Sequence, residues 1–283
     1  MLAAKRRIRK NTNEPASSRS KIFNGGKMNP IFIPSKGRAK ETHLLKQLNQ
    51  NNIEFYYFIE PKEIENYIDF LPMKNIINIK QNDMGIAYVR NFILKHAQEN
   101  KIKRYWTLDD DINNFYNREN TKMIKNDIMV LGEAENQFEK NDYGIYGLEY
   151  QQFAWSASKD RVENSYMDCC VCIDSEKAQE KNIIYRDRLN LKEDRDFAMQ
   201  FIKAGYNNAR STLFAFSCPK NGSNEGGLSP EYRTGNGEKE ERAVERMIEE
   251  WGGDVCKKIV KKDGRIDVKI YWKKINDKQG RLF

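Results

Sequence analysis

Apolar residues along the chain alternate between two rhythms. Ile31-Phe32-Ile33 is a short apolar run that Pro34 is expected to stop, with a turn over Ser35-Lys36-Gly37-Arg38. From Ala39 to Asn51 the spacing changes to Leu44, Leu45 and Leu48, which predicts a helix. Phe55 to Ile59 reads as a second strand, and a second helix begins at Pro61 around Ile64, Tyr67 and Ile68. Asn75 to Ile79 is a third strand, Gly85 to Glu99 a third helix through Val89, Phe92, Ile93 and His96, and Arg104 to Leu108 a fourth strand. Strands that alternate with helices predict an α/β fold, with a mostly parallel sheet and helices on both faces. Ligands in such sheets bind off the carboxyl ends of the strands, where Ser35–Arg38, Glu60 and Asp109–Asp111 all fall.

The pattern is weaker further on. Residues 118–150 are polar and give no assignable element. Met167 to Asp174 reads as a core strand, Phe197, Phe201 and Ile202 mark a helix ended by Gly205, and Leu213 to Phe216 a further strand. Five glycines between Asn221 and Gly237 predict a mobile loop. A helix follows from Glu238 to Trp251 with Val244, Met247, Ile248 and Trp251 on one face. Lys261–Arg265 reads as a hairpin turn, and the next strand sets Ile266, Val268, Ile270 and Trp272 inward against polar residues outward. Three units are expected: a flexible basic arm over 1–27, a catalytic α/β domain over 28–220, and a glycine-rich loop with a small helix-hairpin module over 221–283.

Charge changes this picture at the ends. The net charge is +8, but residues 1–27 carry eight basic side chains against Glu14 alone, and residues 254–283 carry ten basic against four acidic, which leaves the middle acidic. Basic ends suit a polyanionic partner, nucleic acid above all; a solubilising tail and a solvated face suit them equally. No apolar run is long enough to span a bilayer, and no signal-peptide pattern opens the chain, so a cytoplasmic protein without a membrane partner is expected. The five cysteines, at 169, 170, 172, 218 and 256, are odd in number and wrongly spaced for zinc knuckles; reduced thiols in a buried strand are expected.

Four groups of residues carry candidate chemistry. Asp109, Asp110 and Asp111 crowd three carboxylates after an apolar strand, which is costly unless a cation neutralises them, and all-oxygen ligands favour Mg²⁺ or Mn²⁺. Gly85, ahead of Arg90 and Asn91, opens a helix whose N-terminus suits an anion. The donor-rich turn Ser35–Arg38 can seat a base or ribose. Glu193-Asp194, at a helix start, is either a cap or a general base.

Taken together, Ile33-Pro34-Ser35-Lys36-Gly37-Arg38, Glu60-Pro61, Gly85 with Arg90-Asn91, Trp106-Thr107-Leu108-Asp109-Asp110-Asp111, Glu193-Asp194 and Gly226-Gly227-Leu228 resemble the GT-A glycosyltransferases. Within these the chain is most similar to the TET-associated glycosyltransferases, found largely in phages and mobile elements. The resemblance implies a Rossmann-like GT-A fold and a nucleotide-sugar donor, UDP-linked, contacted by Pro34, Ser35, Lys36, Gly37, Arg38, Glu60, Gly85, Arg90, Asp109 and Asp110. It implies a divalent metal at Asp109 and Asp111, a base at Asp194 with Glu193 behind it, and a lid or acceptor surface at Gly226, Gly227, Tyr232 and Arg233. The implied acceptor is a hydroxymethylated pyrimidine in DNA, in the cytoplasm of a bacterial host. One departure concerns the metal: many GT-A enzymes add a C-terminal histidine ligand, and no histidine follows His96. Water and phosphate, or a carboxylate, would complete the shell, or the metal would be loosely held. Transfer to protein or glycan, nucleotidyl transfer or nuclease chemistry, and non-catalytic nucleic-acid binding remain open at this stage.

Overall fold

The computed structural model describes residues 28–220, 223, 225–227, 237–262 and 264–277. The basic arm and most of the glycine-rich loop, Tyr232 and Arg233 included, lie outside the described residues. The strands are β1 (Ile31–Ser35), β2 (Phe55–Ile59), β3 (Ile76–Asn78), β4 (Arg104–Leu108), β5 (Asn114–Glu119), β6 (Lys122–Asn126), β7 (Tyr143–Tyr150), β8 (Arg161–Glu163), β9 (Cys170–Asp174), β10 (Asn207–Ser217), β11 (Cys256–Val260) and β12 (Ile266–Ile270). The helices are α1 (His43–Gln50), α2 (Ile64–Tyr67), α3 (Ile86–Glu99), α4 (Val130–Phe138), α5 (Gln151–Ala154), α6 (Ser175–Glu180), α7 (Glu193–Lys203), α8 (Glu238–Trp251) and α9 (Lys274–Asp277).

One sheet, in the order β3-β2-β1-β4-β9-β7-β10-β5-β6 with β8 also on β10, forms the centre. The strands from β3 to β4 pair in parallel, as does β7 with β10, while β9 runs antiparallel between β4 and β7. Side-chain alternation separates two cores. Ile31, Ile33, Trp106 and Leu108 pack with α1 and α4 on one face, whereas Phe32 and Tyr105 pack with α3, α6 and α7 on the other. This is the α/β architecture with helices on both faces that the periodicity predicts. A third core joins Leu189, Met199 and Ile202 to Val244, Met247 and Trp251 of α8 and Val268 of the β11–β12 hairpin. Trp251 Nε1 also donates to buried Asp196 of α7 at 2.8 Å. Full burial of side chains like these contributes about 1.5–3 kcal/mol each, so the C-terminal module is anchored to α7.

Several sequence expectations are corrected. β1 runs through Pro34 to Ser35 instead of stopping before it. On the β4 side it pairs only at Ile31 and Phe32, so no ladder partner is lost where Pro34 lacks an N–H. α1 begins at His43, not Ala39, because the Thr42 hydroxyl caps it by accepting from Leu45 N at 3.1 Å. The unassigned 118–150 stretch holds β6, α4 and the buried strand β7. Two glycines disguise β7. A Cβ at Gly144 would lie 2.2 Å from the Phe201 ring, and one at Gly147 would lie 2.7 Å from Cys170 O, so these positions need glycine for close packing rather than for a turn. The cysteine-rich segment is a buried strand with free thiols, as expected, but starts at Cys170. On β12 the alternation fails at Asp267, which is buried rather than outward.

Candidate functional site

The carboxyl ends of β1, β2 and β4, the start of α3 and the N-terminal ends of β9 and α7 enclose a cleft of about 490 Å³. It is lined by Pro34, Ser35, Lys36, Arg38, Glu60, Gly85, Arg90, Asp109, Asp110, Asp111, Glu193, Asp194 and Gly227. Most of the residues singled out in the sequence are therefore brought to one place. Gly37 and Gly226 are not among its lining residues; they pack against each other.

The turn after β1 is held by its neighbours. Ser35 Oγ, 2.8 Å from Tyr67 Oη, donates to Asp110. Lys36 Nζ bonds Glu60 Oε1 at 2.8 Å and Asp83 Oδ1 at 2.7 Å, so the ends of β1 and β2 and the loop before α3 are tied by one ammonium. Glu60 Oε2 is buried with no hydrogen-bond partner among the described residues, Lys62 Nζ standing at 3.6 Å. Residues 225–227 lie across this turn: Gly227 N donates to Lys36 O at 2.8 Å and Arg38 Nε to Glu225 O at 2.8 Å. A Cβ on Gly226, which has φ +75°, would lie 2.6 Å from Lys36 O, so only glycine allows the crossing.

The three aspartates are not equivalent. Asp110 turns inward to Ser35 and to Arg38, and is 2% exposed. Burial raises its pKa to about 6 even though Arg38 works against the rise. Asp109 and Asp111 face the cleft, with Arg90 Nη2 3.8 Å from the first and Arg38 Nη2 3.3 Å from the second. Burial also raises Asp109, and Arg90 offsets part of the rise. For Arg38, burial opposes the charge, but Asp110, Asp111 and Asp109 more than offset it and its pKa rises.

α3 opens with Gly85 at φ +82° and no side-chain cap, so its first N–H groups are open to an anion. One turn in, Arg90 reaches across to α7, where Nη1 bonds Glu193 Oε1 at 2.9 Å. Glu193 is 3% exposed and its Oε2 has no hydrogen-bond partner among the described residues. Burial holds its pKa well above the usual carboxylate range, with Arg90 pulling the other way. Asp194 Oδ1 accepts only from the adjacent backbone N of Arg195, at 2.7 Å, among the described hydrogen bonds.

Sequence reasoning missed Asp168. It lies just before β9, where Asp109 N donates to Cys169 O at 2.9 Å; it lines the cleft and also a small cavity shared with Asp109, Asp194, Arg90 and Tyr185. Burial, then the neighbouring Asp194, raises its pKa to about 7, although Arg195 and Arg210 act to lower it. No sequence motif marks it; an isolated acid before a cysteine-rich strand gives no spacing signal. Tyr150, Cys218 and Lys220 also line the cleft and were not anticipated.

Two cleft carboxylates, Asp109 and Asp111, offer the hard oxygen donors that Mg²⁺ or Mn²⁺ takes. Among the described residues no cluster of three or more His, Cys, Asp or Glu side chains converges to hold a metal. The protein side thus fits a loosely held divalent ion with water and phosphate completing its shell, and not an all-protein cage. Among the described residues no helix is long and apolar enough to cross a membrane.

A family model described as TET-Associated Glycosyltransferase matches residues 29–227. No curated protein matches. Among solved structures, S. aureus TarS residues 1–349 is similar at 13% identity and TM-score 0.46, over 67% of this chain and 59% of that one. Its complex with UDP-GlcNAc is similar at 11% identity and TM-score 0.47, over 67% of this chain and 57% of that one. A197 from STIV is similar at 17% identity and TM-score 0.42, over 69% and 86%. The match thus spans less than two thirds of the TarS chain.

Proposed function

The chain belongs to the TET-associated glycosyltransferase family, and from that premise we propose that its cleft binds a nucleotide-sugar, UDP-linked, and passes the sugar to the hydroxyl of a hydroxymethylated pyrimidine in DNA. The observation that carries the donor half is the convergence in one cleft of the Ser35–Arg38 turn, the open N-terminus of α3 and the aspartates after β4.

Each wall has a task that its chemistry supports. Glu60 Oε2, buried and without a hydrogen bond, and the Ser35–Arg38 turn suit the hydrogen-bonding edge of a base and ribose. The diphosphate lies toward the first turn of α3 and the Asp109–Asp111 turn, where backbone N–H groups favour an anion. A Mg²⁺ or Mn²⁺ held by Asp109 and Asp111 supplies charge stabilisation on the departing nucleoside diphosphate. Asp194 takes the proton of the attacking acceptor hydroxyl if configuration inverts, and orients that hydroxyl if it is retained. Burial raises the pKa of Glu193, and Arg90 paired with it offsets part of the rise.

Residues 28–220 serve as the donor domain in this reading. Gly226 and Gly227, which cross the Ser35–Arg38 turn, belong to a lid that closes over the donor and excludes water. The exposed Lys257, Lys258, Lys261 and Lys269 of the C-terminal module and the basic N-terminal arm hold the DNA backbone. The protein works in the cytoplasm of a bacterial host.

The test is incubation with UDP-glucose or UDP-N-acetylglucosamine, Mn²⁺ and hydroxymethylated DNA, scored for UDP release and by mass spectrometry of the released nucleosides. A sugar-bearing nucleoside is the expected product. UDP release that appears only with protein or glycan acceptors would overturn the DNA assignment and keep the donor assignment; no UDP release would overturn both.

A further inference from the structure

The α7 start carries Glu193 and Asp194 with no side-chain cap of its own, and three acids, Glu193, Asp194 and Asp196, crowd its first turn. The residue before its N-cap, Leu191, lines the cleft in the left-handed region at φ +70°, a conformation that a leucine holds only when its surroundings enforce it. The next residue, Lys192, and Arg195 beyond the acids are both held by the C-terminal hairpin. Asp267 on β12 is 6% exposed, and its carboxylate meets Arg195 Nη1 at 2.8 Å and Nη2 at 3.3 Å, Lys192 Nζ at 3.2 Å and Lys261 Nζ at 2.6 Å. Arg195 Nη1 also donates to Val268 O at 3.2 Å. Lys192 and Arg195 are the residues that bracket Glu193-Asp194 in the chain. One buried carboxylate therefore grips the segment on both sides of the acidic pair.

We propose that Asp267 is a positioning residue: by holding Lys192 and Arg195 it fixes the first turn of α7, and so the direction in which Glu193 and Asp194 face the cleft. The catalytic part of this rests on the reading of Asp194 as the acid–base group; the structural part does not. It makes the C-terminal module part of the active site rather than an appendage, because the module that carries the basic surface also sets the acids. Lys192 is 7% exposed, and burial lowers its pKa while Asp267 acts to raise it.

The experiment uses the full chain with Asp267→Asn, and Arg242→Ala as the control. Arg242 pairs with Glu238 on α8, an exposed ion pair of the same module that does not touch α7. Amide hydrogen exchange at residues 193–197 should accelerate more than tenfold in Asp267→Asn and stay unchanged in Arg242→Ala. In UDP release, kcat should fall on the order of 10- to 100-fold with the donor KM within about threefold of wild type. Combining Asp267→Asn with Arg195→Gln should cost no more than the larger single effect, since both remove one contact. Should Asp267→Asn fail to fold, Lys192→Met, which cuts one tether, carries the same exchange readout. Unchanged exchange at 193–197, or unaltered kcat in a variant whose exchange has risen, overturns the proposal. Accelerated exchange in an enzyme that releases no UDP even as wild type leaves the positioning intact and removes the sugar-transfer reading instead.

Discussion

The two walls of the cleft carry similar negative charge and hold it differently. On the wall built by β1 and β4, Asp110 and Asp111 share Arg38, and Asp109 stands 3.8 Å from Arg90. On the wall built by α7 and the approach to β9, Glu193 has Arg90, whereas Asp168 has no ion pair within salt-bridge distance among those described. Arg90 is the only one of these arginines to reach both walls. The difference separates two kinds of chemistry. On the first wall arginines offset part of the rise that burial gives Asp109 and Asp110, and a bound cation could replace those arginines as partner. On the second, burial raises Glu193 and brings Asp168 to about 7, the range that a group moving a proton near neutrality requires.

The contrast breaks most visibly at the aspartates. Asp109→Asn and Asp111→Asn should each lower UDP release about 100- to 1000-fold, while Asp168→Asn leaves UDP affinity in the presence of Mn²⁺ near wild type. Equal loss of UDP affinity in all three, by calorimetric titration, would erase the division of labour. Next is the bridge. Arg90→Met leaves Glu193 buried without its cation, so denaturant unfolding at pH 8 should show a loss of about 3–5 kcal/mol, recovered in large part by adding Glu193→Gln.

The proton-holding wall has its own signature. The native pKa of Asp168, about 7, lies above its usual value, so the folded state binds the proton more tightly than the unfolded chain. Its contribution is then present at low pH and is lost as pH rises from about 4 through about 7. Asp168→Asn should stabilise the protein at pH 8 in EDTA by on the order of 2 kcal/mol, after allowing for its partial exposure, and by almost nothing at pH 4. A gain of the same size at both pH values would contradict the cause. The smallest effect is at Glu60: Glu60→Gln should change the donor KM by a few-fold and leave kcat alone, as a uniform binding contact does.

The same two walls differ in how plainly they are written in the chain. The β1–α1–β2 and β3–α3–β4 units show clean periods of 2 and 3.6, and their motifs sit at strand ends, so the aspartate wall could be placed from sequence. The other wall depends on long-range packing. β7 hides behind Gly144 and Gly147, whose missing side chains make room for Phe201 and Cys170. Asp168 owes its raised pKa to burial and then to Asp194, with Arg195 and Arg210 opposing, and none of these three is near it in the chain. Asp267 looks like an outward residue until the hairpin packs on α7. Local patterning reports which face of an element is apolar; it does not report which distant charge a polar side chain will meet.

The most direct measurement is a crystal structure with UDP and Mn²⁺ soaked in. The account predicts the uracil beside Glu60 and the Ser35–Arg38 turn, and the diphosphate between Asp109, Asp111 and the first turn of α3. UDP bound elsewhere, or in the cleft with its phosphates against Asp168 and Asp194 instead, would contradict it.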